Sequence, residues 1–232
     1  MEYLPGGLTL RLCDGAFPLS TDSMVLAHFV RLRRDARVLD LGSGCGTLGL
    51  VLCAKDSTCH VTGLELSEAA HLTALENIRS NGLDTHMESI CTDLRNLPDE
   101  FAGRFHCCVS NPPYFSGGPA SATTPIARRD DFCAPEDLFR SAGKALQFGG
   151  DFYLVHKPEK LAQLISCGAA NGLEAKQLTL LRHKEGGPIT LILLQFRKGA
   201  KAGLQLHERW LFDSRGEPTD YYREVYRIQE AI

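Results

Sequence analysis

The segment from Arg37 to Leu52 constrains the fold more than any other. Arg37-Val38-Leu39-Asp40-Leu41 is a short apolar run with one acid, Gly42-Ser43-Gly44-Cys45-Gly46 follows it, and Leu48, Leu50, Val51 and Leu52 come next. That order predicts a buried strand, a glycine loop and a helix, the unit from which a mainly parallel α/β sheet is built. Glycines let the loop backbone approach a ligand closely, and the first turn of the helix offers unpaired N–H groups with partial positive charge.

Three further apolar runs repeat the plan. His60 to Leu66 contains Glu65 near its end, and His86 to Leu94 ends at Asp93. Phe105 to Val109 runs into Ser110-Asn111-Pro112-Pro113-Tyr114-Phe115, where the two prolines must stop a strand because proline donates no ladder hydrogen bond. In open α/β sheets ligands bind beyond the carboxyl ends of the strands, so Asp40, Glu65, Asp93 and Asn111 are expected along one edge. Gly44 to Gly49 also matches the G-x-G-x-x-G pattern of dinucleotide sites, which alone is a weak signal. Asp40, two residues before the first glycine, decides against it, because a carboxylate there repels a pyrophosphate. It can hold an ammonium, directly or through water, so a donor such as S-adenosylmethionine is favoured over a nicotinamide. Glu65 lies about 25 residues after Asp40, near the spacing at which an acid meets a ribose diol. Asp93 is placed to accept an adenine amino group, and Leu94 to offer a backbone N–H.

The Asn-Pro-Pro-Tyr loop suits one chemistry. The amino group of a nucleobase or carboxamide is a poor nucleophile because its lone pair is delocalised. The Asn111 oxygen and the Pro112 carbonyl can accept its two hydrogens in a pyramidal geometry, while Tyr114 stacks on the flat base. No strong base is required, because the amine can lose its proton after alkylation.

With 232 residues and 44% hydrophobic content, the chain is expected to form a single domain. Residues 1–34 read as an N-terminal strand and helix extension, 35–200 as the core, and 201–232 as a strand and tail packed on it. Helices are expected from Thr21 to Arg34, after Ser67 with Ala70, Leu72, Leu75 and Ile78 facing inward, from Pro135 to Gly149-Gly150, and after Pro158 to Ala170. Strands are expected at Leu8–Leu12 and Phe152–Val155, a hairpin at Gln177–Leu181 and Ile189–Phe196, two short strands at Leu204–Leu206 and Leu211–Phe212, and a helical tail from Tyr221. Gly117 to Thr124 predicts a mobile loop over the site, and Lys157, Lys160, Arg182, His183 and Lys184 read first as solvated charges, with a basic rim as the alternative.

A formal charge of −3 does not mark a nucleic-acid binder, so any such contact must come from a local basic face. Nine cysteines without metal spacing or a Cys-x-x-Cys pair predict reduced core thiols and no metal. No apolar run approaches membrane-spanning length, and no basic-then-apolar signal opens the chain, so a cytoplasmic protein is expected.

The loop at Asp40 to Gly46 together with Asn111-Pro112-Pro113-Tyr114 resembles the class I methyltransferases that modify exocyclic or amide nitrogens. Thr21-Asp22-Ser23-Met24-Val25-Leu26-Ala27, Ala127-Arg128, Leu154-Val155-His156-Lys157-Pro158 and the stretch from Leu204 through Glu224 are similar to the bacterial tRNA adenine-N6 methyltransferases acting beside the anticodon of valine tRNA. That resemblance implies a Rossmann-like fold, S-adenosylmethionine as cofactor and tRNA as partner; beside it the expectations are no metal and no membrane, with a monomer as one open oligomeric state. It implies donor binding by Thr21, Asp40, Gly42, Gly44, Gly46, Glu65, Asp93, Leu94 and Asn111, catalysis by Asn111, Pro112 and Tyr114, and substrate contacts from Phe115, Arg128 and Arg129. Some relatives carry Ala-Arg-His-Glu where this chain has Ala127-Arg128-Arg129-Asp130. The alternatives are a protein glutamine or DNA adenine acceptor, a non-catalytic RNA-binding module, and, more remotely, a nicotinamide oxidoreductase.

Overall fold

A computed structural model describes residues 1–16, 19–112 and 134–226. Its frame is one eight-stranded sheet. In chain order the strands are β3 (Arg37–Leu41), β4 (His60–Glu65), β5 (Met87–Cys91), β6 (Phe105–Ser110), β7 (Leu146–His156), β8 (Leu173–Lys184), β9 (Ile189–Lys198) and β10 (Gln205–Phe212). Across the sheet the order is β5-β4-β3-β6-β7-β9-β8-β10, parallel throughout except for β9, which runs against both neighbours. A small antiparallel pair, β1 (Glu2–Tyr3) with β2 (Thr9–Leu10), stands apart.

Strand periodicity sorts the core into two layers. Phe152 and Leu154 of β7 pack with α4 (Pro135–Ala145) and α5 (Leu161–Ala170), whereas Tyr153 and Val155 join α1 (Thr21–Phe29), α2 (Thr47–Lys55) and α3 (Glu68–Ser80) on the other face. Phe139 of α4 meets the rings of Phe152 and Phe196 edge-on at 5.2 and 5.0 Å. Gly168 lets α5 descend onto that cluster, since a Cβ there would lie 2.5 Å from the Phe196 ring and 2.9 Å from the Leu173 carbonyl.

The chain crosses from β3 outward to β4 and β5 on one side, and resumes at β6 on the other. The sheet therefore has its topological switch point between β3 and β6, where a crevice opens at the carboxyl ends. Helix α1 reaches this crevice with its N-terminus. Its far end is held by Lys55, whose ammonium donates to the carbonyls of Ala27, His28 and Val30 at 2.8, 3.1 and 2.6 Å, supplying partners that a helix end lacks. Burial, with Arg31 nearby, pulls the Lys55 pKa down to about 8.

Several boundaries differ from expectation. Helix α1 stops at Phe29 instead of Arg34, and α4 stops at Ala145, with Gly149-Gly150 lying inside β7 beside a register shift. The segments expected at Leu204–Leu206 and Leu211–Phe212 merge into one strand, β10, which begins at Gln205 and pairs parallel with β8. On α3 the inward face carries Ala74 and Asn77, and Leu72 is exposed. The helical tail is α6 (Asp220–Tyr226), seated through Val225.

Among the described residues no helix is long and apolar enough to cross a membrane.

Candidate active site

The β3 end and its loop are fixed by backbone chemistry. Gly42 and Ser43 both donate to the Leu64 carbonyl at 3.0 Å, and Gly46 donates to Ser43 at 2.9 Å, which folds the loop back over the end of β4. Gly42, Gly44 and Gly46 have φ of +76°, +56° and +85°, values that L side chains rarely adopt. A Cβ on Gly42 or Gly44 would meet nothing within 4 Å, so the loop presents open space above bare backbone.

Asp40 sits beneath that space, 1% exposed, and its Oδ2 has no hydrogen-bond partner among the described residues. Burial raises its pKa to about 7, the Glu65 charge pushes the same way, and a hydrogen bond from the Gly49 N–H opposes both. A buried carboxylate in that state lacks a cation. Glu65 is tethered, with Oε2 accepting from the Gly44 N–H and Oε1 from the Ser67 N–H, both at 2.8 Å. Each oxygen keeps a further lone pair for a hydroxyl. The open cradle, the orphaned acid and the second acid fit a ligand that joins an ammonium group to a ribose.

Asp93 lies at the next strand end and is already engaged. Arg95 grips it with Nε at 2.8 Å and Nη2 at 2.6 Å from Oδ2, and its backbone N–H donates to Oδ1 at 2.9 Å. These bonds hold the carboxyl below its ordinary range, so a ligand amine would share Asp93 with Arg95. Leu94 opens the following 3-10 turn, and its carbonyl accepts from Ser141 Oγ at 2.7 Å.

Across the switch point, Ser110 Oγ donates to the Leu41 carbonyl at 2.7 Å and pins the end of β6 to the end of β3. Asn111 follows at once, half-buried, with its Nδ2 donating to Ser23 Oγ at 3.0 Å. Pro112 is buried beside it. Thr21 does not cap α1, since Ser20 does; its hydroxyl meets Tyr226 Oη at 3.1 Å. The structure thus brings Thr21, Asp40, Gly42, Gly44, Gly46, Glu65, Asp93, Leu94, Asn111 and Pro112 to the carboxyl edge of one sheet. Tyr114, Phe115, Arg128, Arg129 and the Gly117–Thr124 segment lie outside the described residues.

A model of the methyltransferase small domain matches residues 19–165. The chain is 32% identical over 210 residues to the tRNA1(Val) (adenine(37)-N6)-methyltransferase of Edwardsiella ictaluri, covering 89% of this chain and 84% of the relative. The chain belongs to the methyltransferase small domain family. A protein of the same name from Bacteroides fragilis is 28% identical over 185 residues, covering 78% of this chain and 77% of that one. Among solved structures, an Agrobacterium tumefaciens protein titled a predicted O-methyltransferase superposes with a TM-score of 0.75 at 21% identity, covering 90% of this chain and 97% of that one. The [4+2]-cyclase SpnF superposes at 0.59 with 17% identity, covering 77% and 81%, so the shared frame is a matter of fold alone.

Within this methyltransferase small domain, sequence reasoning passed over several residues. Asn77 of α3 is fully buried, accepts from the Arg11 N–H at 2.8 Å, and donates to the carbonyls of Arg11 and Cys45 at 2.9 Å each. Asn81 holds Thr9 in the same way, at 2.8 Å in both directions. Together they clamp the N-terminal segment to the glycine loop and bring Cys13 Sγ to 3.6 Å from Cys45 Sγ. An Asn at one-turn spacing on α3 was visible in the sequence, but its partners, 66 and 72 residues away, were not. Of the basic residues expected at the rim, Arg182 is paired with Glu208 at 2.6 Å and Lys160 donates to Gln163 at 3.2 Å. Among the described residues no group of three or more His, Cys, Asp or Glu side chains is arranged to hold a metal.

Proposed function

We propose that this chain transfers a methyl group from S-adenosylmethionine to N6 of an adenine in tRNA, the adenine beside the anticodon being the acceptor. The observation that carries the reading is the pairing, across the β3–β6 switch point, of an orphaned buried acid under an open glycine loop with an uncharged amide on a proline-stopped strand. The relatives, tRNA1(Val) (adenine(37)-N6)-methyltransferases by name, point to the same acceptor.

Asp40 takes the ammonium of the donor, Glu65 its ribose hydroxyls, and Asp93 with Leu94 the edge of its adenine. When bound, S-adenosylmethionine supplies an electrophilic methyl group. Asn111 Oδ1 and the Pro112 carbonyl accept the two hydrogens of the acceptor amine, which aims its lone pair along the line of attack. Tyr114 stacks on the extruded base, Phe115, Arg128 and Arg129 hold the flanking RNA, and positioning supplies most of the rate. The reading carries with it a cytoplasmic protein that acts as a monomer.

The test is incubation with methyl-labelled donor and tRNA lacking its native modification, followed by nucleoside analysis. N6-methyladenosine is the expected product, and label in protein or DNA alone would overturn the assignment. Asn111→Ala is expected to lose at least about a hundredfold in kcat at saturating donor, the scale of removing one well-placed polar group from a reacting centre.

A further inference from the structure

An asparagine amide can present either of two ends to a reacting amine, and only its oxygen accepts a hydrogen bond. What surrounds Asn111 therefore matters as much as its presence. Ser23, the third residue of α1, places Oγ 3.0 Å from Asn111 Nδ2. Ser23 is itself 7% exposed, and its backbone N–H is tied to the Ser20 cap at 3.4 Å. The helix carrying it is anchored at both ends, by Lys55 on its last carbonyls and by Tyr226 on Thr21. Ser110, one residue before Asn111, is fully buried and bonded to Leu41. Donor and acceptor of the Ser23–Asn111 bond thus both ride on fixed backbone.

We propose that Ser23 is a positioning residue for methyl transfer: by accepting the Asn111 amide N–H, its hydroxyl turns Oδ1 toward the acceptor amine. The inference rests on the role given to Asn111 above. The hydroxyl of Ser23 is engaged with the Asn111 amide, so its expected effect on the reaction runs through Asn111. Without the hydroxyl, the amide loses the anchor that fixes its tilt, and misplacement of a positioned group on this scale lowers rates by about tenfold to a hundredfold.

The discriminating pair is Ser23→Thr and Ser23→Val, which share one shape and differ in the hydroxyl. Ser23→Val is expected to lose about tenfold to a hundredfold in kcat, with the RNA KM, donor affinity and melting midpoint matching those of Ser23→Thr. Ser23→Thr should stay within about threefold of wild type. Equal kcat for the two variants would overturn the proposal. So would an undiminished effect of Ser23→Val in an Asn111→Ala background, because the loss would then bypass Asn111.

A second measurement is independent of turnover. The side-chain amide resonances of Asn111, assigned by their disappearance in Asn111→Ala, should move in Ser23→Val and hold in Ser23→Thr. Unmoved resonances in Ser23→Val refute the contact itself. Wild-type protein that makes no N6-methyladenosine while the resonances behave as expected refutes the acceptor assignment and leaves the Ser23–Asn111 bond standing.

Discussion

Replacing Asp40 by Asn tests whether the site holds a carboxylate at a cost to the fold. Burial first, then the Glu65 charge, raise Asp40 from an ordinary 3.8 to about 7. The folded protein therefore binds a proton on Asp40 more tightly than the unfolded chain does. From pH 3.8 up to about 7 the folded form holds the extra proton, so this group's contribution to stability falls as pH rises and then stays level. At about 1.4 kcal/mol per pH unit, the interval from pH 5 to 7 amounts to about 3 kcal/mol. Asn does not titrate, so the stability of Asp40→Asn relative to wild type should grow by about 3 kcal/mol between pH 5 and pH 8. The fixed cost of an imperfectly bonded amide is present at both pH values and cancels in this difference. Urea unfolding of ligand-free protein reads it directly: at about 3 kcal/mol per M, the variant's midpoint should gain about 1 M on wild type across the interval. Midpoints that shift in parallel would show that Asp40 is not destabilised as a carboxylate, and would remove the physical ground for a cation above it. The same substitution should abolish donor binding.

Three other outcomes follow from the geometry. Because a donor ammonium needs Asp40 charged, S-adenosylmethionine affinity should weaken by about tenfold per pH unit below pH 7; calorimetry in buffers of different ionisation enthalpy should register proton release, and a flat profile would contradict the assignment. Gly168→Ala puts a methyl against the Phe196 ring and the Leu173 carbonyl, and should destabilise by about 1–3 kcal/mol in denaturant titration despite alanine's better helix propensity. Asn77→Ala strips partners from both backbone groups of Arg11 and from the Cys45 carbonyl; a loss of about 2–4 kcal/mol is expected, with weaker donor binding because the glycine loop loses its clamp.

The strand ends were legible because apolar runs stopped by glycine, acid or proline carry their own punctuation. That is why Asp40, Glu65, Asp93 and Asn111 could be placed on one edge from residues alone. The end of α1 was misplaced because the charged tail Arg31, Arg33 and Arg34 does not look like a helix stop. The actual stop depends on Lys55, some 25 to 28 residues later. Strand β10 was divided in two because His207, Glu208 and Arg209 interrupt its apolar pattern, yet it lies at the sheet edge where polar side chains meet solvent. Leu72 was assigned inward by spacing, while Asn77 took an inward position that composition would give to an apolar residue. Its three hydrogen bonds make that burial possible, and no local pattern announces them.

The Thr21–Tyr226 contact joins residues separated by 205 positions. A ribosome making this protein delivers the crevice, its acids and the start of α1 well before it delivers α6. The early part of the nascent chain can therefore close its sheet around β3, β4 and β6 while Thr21, at the crevice, still awaits its partner on α6. Completion of the site is thus tied to the delivery of α6, and a chain ended before α6 should fold much of its sheet and yet lack that contact.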